Sequence, residues 1–256
     1  MSQKRRLNMG YTVVENRHVT GRDYLLTVEA PEQEAERVEP GQFAMVQVRS
    51  RLQLDPLLRR PLGIFNLEGN RVSFLYRVYG RGTKLLTEVE AGSEIEVLMP
   101  LGNSIPQRGE KFLFIAGGIG IGGLFLAARR FKEAGKEVVV LYGERSRENL
   151  SGLPFLEEFG IEHVVYTEDG SFGKKGFVTQ DLHSYTGFTW VACGPTPMMK
   201  AVKEEAARLK VECYLSLDRR MACGVGACLG CTVETVNGYK RCCVEGPVFR
   251  AEEVIL

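Results

Sequence analysis

Seventeen consecutive residues without a charge, FLFIAGGIGIGGLFLAA at positions 112–128, limit what this chain can fold into. A membrane-spanning helix needs about 17–25 apolar residues, so this stretch has only the minimum length. Five of the seventeen residues are glycines gathered in the middle, and each glycine costs about 1 kcal/mol in a helix interior. We therefore predict a buried strand, a glycine turn and a helix here, and no membrane span.

The chain after residue 111 alternates between strand patterns and helix patterns. Predicted strands cover 112–116, 137–142, 163–167 and 189–193, and predicted helices cover 122–134, 152–159, 177–182 and 197–209. This alternation predicts a parallel sheet with helices on its faces.

Residues 10–100 carry shorter β-prone runs that turn residues separate. The runs lie at 11–15, 23–29, 42–48, 63–67, 71–78 and 94–99, with one short helix near 82–88. This spacing is typical of a β barrel or sandwich. The predicted fold is a β barrel domain over 10–105, an α/β parallel-sheet nucleotide-binding domain over 110–210, and a cysteine-rich C-terminal segment over 211–256.

Charge and composition exclude several classes of partner. Lys and Arg number 33 against 32 Asp and Glu, for a net charge of +1, so no nucleic-acid face or acidic partner is expected. The basic N-terminus is not followed by an apolar run, so we expect no signal peptide and a cytoplasmic location. Seven cysteines in that compartment indicate metal or redox chemistry rather than a disulfide framework.

Three of the seven cysteines stand in one glycine-rich loop. The spacing is Cys223-x4-Cys228-x2-Cys231, followed by Cys242 and Cys243. This is the plant-type spacing of [2Fe–2S] ligands, whereas structural zinc sites more often use two separated Cys-x2–4-Cys pairs. The spacing favours an iron–sulfur cluster, with a zinc site and inert buried thiols as the alternatives.

The residues between these cysteines support an anionic centre. Glycines lack a Cβ, which lets the backbone fold tightly and aim its N–H groups at a buried anion. The interleaved glycines are Gly224, Gly226 and Gly230, and an apolar lid is expected from Met221, Ala222, Val225, Ala227 and Leu229.

Two stretches of the β domain are candidates for phosphate binding. Arg60 follows a loop, and Arg77 lies where a strand leads towards Gly82 and Thr83 at a predicted helix start. A helix start offers free N–H groups to a phosphate, and arginines can pair bidentately with a pyrophosphate. Surface arginines and such turns are also common without any ligand, so neither stretch decides the matter alone.

The second domain has two candidate ligand loops. Gly117, Gly118 and Gly120 join a strand to a helix, a pattern that lets the backbone approach a pyrophosphate. The stretch Cys193-Gly194-Pro195 follows a later strand, where open α/β sheets bind ligands. Close helix–sheet packing accounts equally for the glycines, and helix capping by Thr196 accounts equally for the second stretch.

The order of these motifs resembles a known family. Arg-Pro-Leu and Gly-x-Gly-Thr, then GGIGIG, CGPTPMM and MACGVGAC, then CVEGPVF occur in sequence. The chain is similar over about residues 10–256 to the electron-transfer subunits of bacterial NAD-linked dihydroorotate dehydrogenases, within the ferredoxin–NADP reductase superfamily.

The resemblance implies three cofactors: FAD in the barrel, NAD on the α/β domain and a [2Fe–2S] cluster in the C-terminal segment. It places the flavin contacts at Arg60, Pro61, Leu62, Gly63, Leu75, Tyr76, Arg77, Gly82 and Thr83. NAD would meet Gly117, Gly118, Gly120, Cys193, Gly194 and Pro195. The implied cluster ligands are Cys223, Cys228, Cys231 and Cys243, with Cys242 as the alternative fourth ligand.

Two positions depart from the family pattern. The family often has serine where this chain has Gly63, so a hydroxyl contact to the flavin would be missing or made by the backbone. The nucleotide turn often ends in proline where this chain has Gly123, which weakens the match around the nicotinamide.

The resemblance also implies a function and a partner. Dihydroorotate oxidation, a step in UMP biosynthesis, would occur at the FMN of a separate catalytic subunit, in a heterotetramer of two chains each. Electrons would pass through the cluster and FAD to NAD+, because a flavin exchanges electrons both in pairs and singly. Alternatives are a related ferredoxin, NAD(P)H or sulfur oxidoreductase subunit, and a non-catalytic zinc-stabilised interaction module. The Arg145-Ser146-Arg147 loop leaves the choice between NAD and NADP open.

Overall fold

Two seven-stranded sheets form the frame of the chain in this computed structural model, which describes residues 10–48 and 55–256. The N-terminal residues on which the signal-peptide expectation rests lie outside these ranges. The first sheet is antiparallel, with strand order β4-β3-β7-β1-β2-β6-β5. Its elements are β1 Gly10–Thr20, β2 Asp23–Glu29, α1 Glu32–Ala35, β3 Phe43–Val46, β4 Arg60–Gly63, β5 Asn66–Glu68, β6 Arg71–Arg77, α2 Arg81–Leu86 and β7 Glu94–Leu101.

Alternation along these strands explains why the sheet curls around a core. In β6, Val72, Phe74 and Tyr76 are almost completely buried, and they pack with Leu26 and Val28 of β2. Successive strand residues point to opposite faces, so Leu75 of β6 faces the other way and joins the core of the second domain. The predicted β barrel is confirmed.

The second sheet is parallel for six of its seven strands and begins with the uncharged stretch. Its first elements are β8 Lys111–Gly117, α3 Ile121–Glu133, β9 Glu137–Glu144, α4 Leu153–Glu158, β10 Glu162–Thr167, β11 Lys174–Lys175, β12 Thr189–Cys193, α5 Thr196–Leu209 and β13 Cys213–Ser216. The last elements are the hairpin β14 Thr232–Thr235 and β15 Gly238–Arg241, followed by β16 Val248–Arg250. The strand order is β11-β10-β9-β8-β12-β13-β16, and β16 alone pairs antiparallel.

The glycine-rich apolar stretch is a strand, a turn and a helix, as predicted. Residues 112–116 of β8 are buried between layers, and the ring centroids of Phe112 and Phe131 of α3 lie 4.6 Å apart. Burial on both faces is typical of a parallel strand. Within residues 10–48 and 55–256, no helix combines the length and the apolar character that crossing a bilayer requires.

Two predicted elements are wrong. The predicted strand at 63–67 is two strands, because the chain leaves β4 at Gly63 and starts β5 at Asn66, at the opposite edge of the sheet. The predicted helix at 177–182 is a series of turns followed by a 3₁₀ helix at Leu182–Tyr185. Val178 is buried there and packs against Gly143 of β9, a tertiary contact that overrides the weak helical pattern.

The C-terminal segment contributes to the second sheet. Cys213–Ser216 extends the parallel sheet beside β12, and Val248–Arg250 pairs with it as the last strand. The cysteine loop at 223–231 therefore leaves the sheet after β13 and the chain returns to it at β16. The three domain boundaries stay predictions.

Candidate functional site

The nucleotide turn lies at the switch point of the parallel sheet. From β8 the strand order runs through β9 and β10 in one direction and through β12 and β13 in the other. Ligands of open α/β sheets bind in the crevice outside the carboxyl ends of the strands at such a point. Gly117 ends β8 and Cys193 ends β12, so the structure brings both predicted ligand loops to this crevice.

The two loops touch, and their glycines make the contact possible. A Cβ on Gly120 would lie 2.2 Å from the carbonyl oxygen of Cys193, and one on Gly194 would lie 3.0 Å from the Cα of Gly117. Gly118 has a φ of 59°, and it lies beside the side chains of Arg77 and Glu144. Close packing and room for a nucleotide both require these glycines, so the residues fit a dinucleotide.

The loop after β12 differs from its predicted cap. Pro195 is the N-cap residue of α5, and Thr196 is already helical, so the predicted Thr196 cap is wrong. No side chain caps this helix start, which leaves its first N–H groups to the crevice. Burial raises the pKa of the Cys193 thiol to about 12, so Cys193 is a neutral thiol.

The predicted flavin stretch forms one edge of the barrel sheet. Arg60–Gly63 is strand β4, which pairs only with β3 among the described strands, so that Pro61 stands opposite Met45 and Gly63 opposite Phe43. Pro61 and Leu62 are half-buried at this edge, where a proline is tolerated.

Arg60 meets the start of α2. A Cβ on Gly82 would lie 2.7 Å from Nε and Nη2 of Arg60, and Arg60 Nη1 donates to the carbonyl oxygen of Leu58 at 2.7 Å. The Thr83 hydroxyl accepts from the backbone N–H groups of Tyr79 at 3.0 Å and Gly80 at 3.3 Å. Arg60, Gly82 and Thr83 are thus brought together, and the Arg60 guanidinium fits the pyrophosphate of a dinucleotide.

Side chains of the third predicted flavin stretch point in two directions. Tyr76 is buried in the barrel core, its hydroxyl donates to Asn16 Oδ1 at 3.0 Å, and burial raises its pKa. Leu75 and Arg77 face the second domain instead. A flavin at this strand would meet the backbone of Tyr76 rather than its ring.

The Arg77 guanidinium is paired with two carboxylates. It donates to Asp23 at 2.6 and 2.7 Å and to Glu144 of β9 at 2.6 Å. Burial alone would lower the pKa of Arg77, but the hydrogen bonds to both carboxylates raise it. Ser151 donates to Asp23 at 2.7 Å, so this buried network joins the barrel to the α/β domain.

The two departures from the family pattern meet at the domain interface. A Cβ on Gly63 would lie 3.1 Å from the Cα of Gly123, which belongs to the first turn of α3. A Cβ on Gly122 would lie 3.0 Å from the carbonyl oxygen of Leu75. The flavin strand and the nucleotide helix therefore approach with backbone against backbone.

Four cysteine thiols form two neighbouring pairs. The thiols of Cys223 and Cys228 lie within hydrogen-bonding reach of each other, and so do those of Cys231 and Cys243. Backbone N–H groups point at these sulfurs: Val225 N lies 3.4 Å from Cys223 Sγ, Gly226 N 3.1 Å from Cys243 Sγ and Gly230 N 3.5 Å from Cys228 Sγ. Such donors stabilise an anionic centre.

The paired arrangement fits a two-iron cluster better than a single ion. Among the residues that the structure describes, no three His, Cys, Asp or Glu side chains converge as the ligands of one metal ion would. A tetrahedral zinc needs four ligands around one point, whereas a [2Fe–2S] cluster with four cysteines takes two on each iron. The Cys223/Cys228 pair and the Cys231/Cys243 pair therefore fit the two irons.

Cys242 lies outside these pairs. Its thiol is completely buried, donates to the carbonyl oxygen of Leu217 at 3.2 Å, and has a pKa raised to about 12 by burial. Cys223 is the opposite case, because the N–H group of Val225 lowers its pKa to about 6, and a lowered pKa favours the thiolate that binds metal. The geometry favours Cys243 over Cys242 as the fourth ligand.

Sequence reasoning missed several residues that connect these sites. Asp23 and Glu144 carry no motif, and only the unusual presence of a carboxylate beside a buried strand marks them. Asn103 follows β7 and bonds to the C-terminal segment at 245–248. No local pattern announces that contact, because its partners lie more than 140 residues away.

The C-terminal segment is similar to a known family of domains. Residues 218–255 match the family model described as the iron–sulfur cluster binding domain of dihydroorotate dehydrogenase B. The matched range contains both cysteine pairs.

Whole-chain relatives carry the same description. A homolog of the dihydroorotate dehydrogenase B (NAD(+)) electron transfer subunit from Aquifex aeolicus (strain VF5) is 43% identical over 248 residues, covering 95% of this chain and 97% of that protein. The electron transfer subunit of Geobacillus sp. (strain WCH70) is 42% identical over 85% of this chain and 87% of its own length. That of Bacillus velezensis is 38% identical over 96% and 98%.

Solved structures show the same architecture. An NADH-dependent reduced ferredoxin–NADP oxidoreductase, described in connection with flavin-based electron bifurcation, superposes with a TM-score of 0.84 at 27% identity, covering 96% of this chain and 89% of that chain. A ferredoxin reductase of carbazole 1,9a-dioxygenase shares the fold with a TM-score of 0.66 at 22% identity, covering 79% of this chain and 66% of that chain. With the barrel, the sheet and the paired cysteines in place, the chain belongs to the family of electron transfer subunits of dihydroorotate dehydrogenase B (NAD(+)).

Proposed function

We propose that this chain is the electron transfer subunit of an NAD-dependent dihydroorotate dehydrogenase in UMP biosynthesis. It would take electrons from the FMN of a catalytic subunit through a [2Fe–2S] cluster and FAD to NAD+. The observation that carries the proposal is the contact between the cysteine loop and the flavin side of the barrel. A Cβ on Gly224 would lie 2.5 Å from Cγ of Met45, and Met45 pairs with Pro61 of β4.

Each cofactor has a set of residues that fits it. FAD is assigned to the barrel, with its pyrophosphate at Arg60, Gly82 and Thr83 and its ring near Gly63. NAD is assigned to the crevice of Gly117, Gly118, Gly120, Cys193, Gly194 and Pro195, and the cluster to Cys223, Cys228, Cys231 and Cys243. When bound, the flavin connects a two-electron carrier to a one-electron carrier.

The chain's own residues bind and orient rather than perform acid–base chemistry. Of its three histidines, His18 contacts the carbonyl oxygen of Gly21 and His163 that of Ile161. Both lie outside the proposed site. Dihydroorotate oxidation is accordingly assigned to the partner subunit.

An exposed apolar rim around the cysteine loop supports docking of that partner. The exposed fractions are 54% for Val225, 63% for Leu229 and 43% for Val244. Val225 and Leu229 were expected to form part of a lid over the cluster, and an exposed lid is suited to contact a second protein. The proposal includes an FMN-containing catalytic subunit in a heterotetramer of two chains each.

The free thiols and the loop after β9 bear on the cellular location of the chain and on its choice between NAD and NADP. All seven cysteines lie in described ranges and carry free thiols, which fits the reducing cytoplasm. Arg147 lies over the ring of Phe172 at 5.4 Å, and its N–H bonds to Ser171. The backbone N–H groups of Glu168 and Asp169 donate to the carbonyl oxygens of Glu144 and Arg145, which places both acidic residues beside the Arg145–Arg147 loop. Arg147 is therefore already in contact with Phe172, and acidic residues flank its loop. Because carboxylates repel the extra phosphate of NADP, this loop favours NAD.

Co-purification and a coupled assay test the proposal. We expect the chain to capture an FMN-containing subunit, and the complex to reduce NAD+ only when dihydroorotate is supplied. Cys228→Ser should abolish this coupling, and Cys242→Ser serves as the matched control. NAD+ reduction without dihydroorotate dependence would favour a related ferredoxin or sulfur oxidoreductase, and a colourless, zinc-containing protein would favour the interaction module.

A further inference from the structure

The barrel is bonded directly to the cluster segment by one asparagine. Asn103 follows β7, and its Nδ2 donates to the carbonyl oxygens of Glu245 at 3.0 Å and Val248 at 2.8 Å. Its Oδ1 accepts from Val248 N at 3.0 Å, and its backbone N–H donates to Gly246 O at 2.7 Å. One residue thus makes four hydrogen bonds to the segment that begins two residues after Cys243.

Packing closes around this bonded contact. A Cβ on Gly102 would lie 2.6 Å from Cδ of Pro247 and 3.0 Å from Cε1 of Phe43. Leu217, at the end of the approach to the cysteine loop, donates its N–H to Pro247 O at 2.9 Å. The segment after Cys243 is therefore held between the barrel and the strand that leads into the loop.

A second contact involves the same two barrel strands. Gly224 packs against Met45 of β3 and Leu101 of β7, as its Cβ position lies 2.5 Å from Met45 Cγ and 3.3 Å from Leu101 Cδ1. Met45 belongs to the buried cluster that also contains Cys231 and Cys243. Both ends of the cysteine site consequently rest on β3 and β7, and β3 is the strand that carries β4.

We propose that Asn103 is a positioning residue that sets the gap between the cluster and the flavin. This inference rests on the proposed function, and it concerns electron transfer rather than cofactor binding. Electron transfer slows steeply as the separation of two centres grows, so a small loosening of the segment changes the rate before it changes the fold. A misplacement of about 1 Å can cost on the order of 100-fold in an enzymatic step.

The step can be followed in the full chain loaded with FAD and the cluster. In the loaded chain, NADH would deliver one hydride, two electrons and a proton, to the flavin. One of these electrons would then reduce the cluster by one electron, and the other would stay on the flavin. Rapid mixing with NADH separates the two events, because flavin bleaching and the EPR signal of the reduced cluster report on them individually.

Asn103→Ala is the informative variant. We expect NADH to reduce its flavin at the wild-type rate, whereas electron arrival at the cluster slows by about 10-fold or more. Iron content, flavin content and the spectrum of the dithionite-reduced cluster should match the wild type. In Asn103→Asp the side chain can still accept from Val248 N, but it can no longer donate to Glu245 O and Val248 O, so this variant should slow the second event as well.

Asn66→Ala is the matched control. Asn66 is 7% exposed, and its side chain makes two hydrogen bonds, with Glu68 at 3.0 Å and Arg129 at 2.8 Å. It lies on β5, at the sheet edge opposite β4. This variant should lose stability without slowing electron arrival at the cluster.

The outcomes separate the inference from the proposed function. A wild-type chain that binds neither FAD nor iron refutes the proposed function, whatever the variants do. A loaded Asn103→Ala chain whose cluster is reduced at the wild-type rate overturns the inference alone. If both Asn103 variants fail to hold iron, Asn103 serves cluster assembly instead of spacing, and the inference is equally overturned.

Discussion

Cys242 and Cys243 are neighbours in the chain, but their thiols have different surroundings. Cys243 Sγ accepts an N–H group from Gly226 and lies beside Cys231, while Cys242 donates to Leu217 O inside the core. We expect Cys243→Ser to lose most of the iron and the visible absorption of the chain. Iron analysis and absorption spectra of the purified variants measure this.

Cys242→Ser is the control for that experiment. A serine hydroxyl can donate to Leu217 O as the thiol does, so the free energy of unfolding should fall by roughly 1 kcal/mol or less. Its iron content should stay at the wild-type level. Loss of iron in Cys242→Ser with retention in Cys243→Ser would reverse the assignment.

Gly63 sets how closely the two domains approach. A side chain at this position would press against Gly123, whose Cα lies 3.1 Å from the Cβ position. We expect Gly63→Ser to lower the free energy of unfolding by about 1–3 kcal/mol, as overpacked substitutions do, measured by urea unfolding. Gly187→Ser is the matched control, because nothing lies within 4 Å of its Cβ position. Equal stability of both variants would show that the interface yields without cost.

At the scale of elements, β2, β6 and β9 share one cation. Arg77 gives two of its hydrogen bonds to Asp23 and one to Glu144. Both carboxylates are buried, with side-chain exposures of 1% and 4%. Burial raises the pKa of Glu144, and the hydrogen bond from Arg77 offsets this only in part, since one cation cannot fully compensate two buried charges.

This raised pKa has a predictable effect on stability. A carboxylate whose pKa is higher in the folded state stabilises the fold below its unfolded pKa, and that contribution is lost as pH rises through the folded pKa. Glutamine does not titrate, so Glu144→Gln should gain stability relative to the wild type as pH rises above about 4.3, the ordinary pKa of a glutamate. Urea unfolding at a series of pH values measures the difference.

The same strand offers a control for the pH series. Glu137 begins β9 and pairs with Lys111 at the surface, with about half of each side chain exposed. Surface pairs contribute little, so Glu137→Gln should show no such trend. A Glu144→Gln variant that becomes less stable than the wild type as pH rises contradicts the prediction.

Elements whose signals are local could be predicted from the sequence. Residues 112–116 have a continuous apolar run, and 189–193 end in a turn, so both strands were found at nearly their true bounds. The strand Val248–Arg250 was missed because its pairing partner, β13, lies more than 30 residues earlier in the chain. The helix expected at 177–182 failed because Val178 is held by a contact with β9, which no pattern within the segment reveals.

The site followed the same division. The spacing from Cys223 to Cys231 favours a cluster from local sequence alone. The turn from Gly117 to Gly120 indicates a nucleotide site in the same local way. The choice between Cys242 and Cys243 required the direction of each side chain, which depends on Leu217 and Gly226. The commitment of Arg77 to Asp23 and Glu144 was invisible because it joins three strands from two domains.

At the scale of the whole molecule, the three proposed cofactor sites form a series. The nucleotide crevice meets the flavin strand where Gly63 approaches Gly123, and the flavin strand meets the cysteine loop through Met45. The flavin strand therefore contacts both of the other proposed sites, as a flavin that mediates between NAD and a cluster requires. The cysteine loop is left at the outer end, with Cys228 exposed.

We propose that the catalytic subunit docks at this outer end, where electrons would enter. Val225 and Leu229 are exposed by 54% and 63%, and apolar side chains beside an exposed ligand are suited to a contact that excludes water. We expect the double substitution Val225→Ser and Leu229→Ser to weaken binding of the catalytic subunit by about 10-fold or more, since burying each apolar side chain contributes about 1.5–3 kcal/mol. Titration of the purified catalytic subunit with the loaded chain measures the affinity.

Replacing an exposed apolar residue elsewhere tests whether a more polar surface by itself weakens binding of the catalytic subunit. Phe177 is 59% exposed and lies in the turn region after β11, far along the sheet order from the cysteine segment. Phe177→Ser should leave the affinity unchanged, and all variants should keep NADH-driven reduction of the flavin, because that reaction needs no partner. If the double variant binds the catalytic subunit as tightly as the wild type, the rim is not the docking face. Electrons would then have to reach the cluster from a surface other than the one beside Cys228.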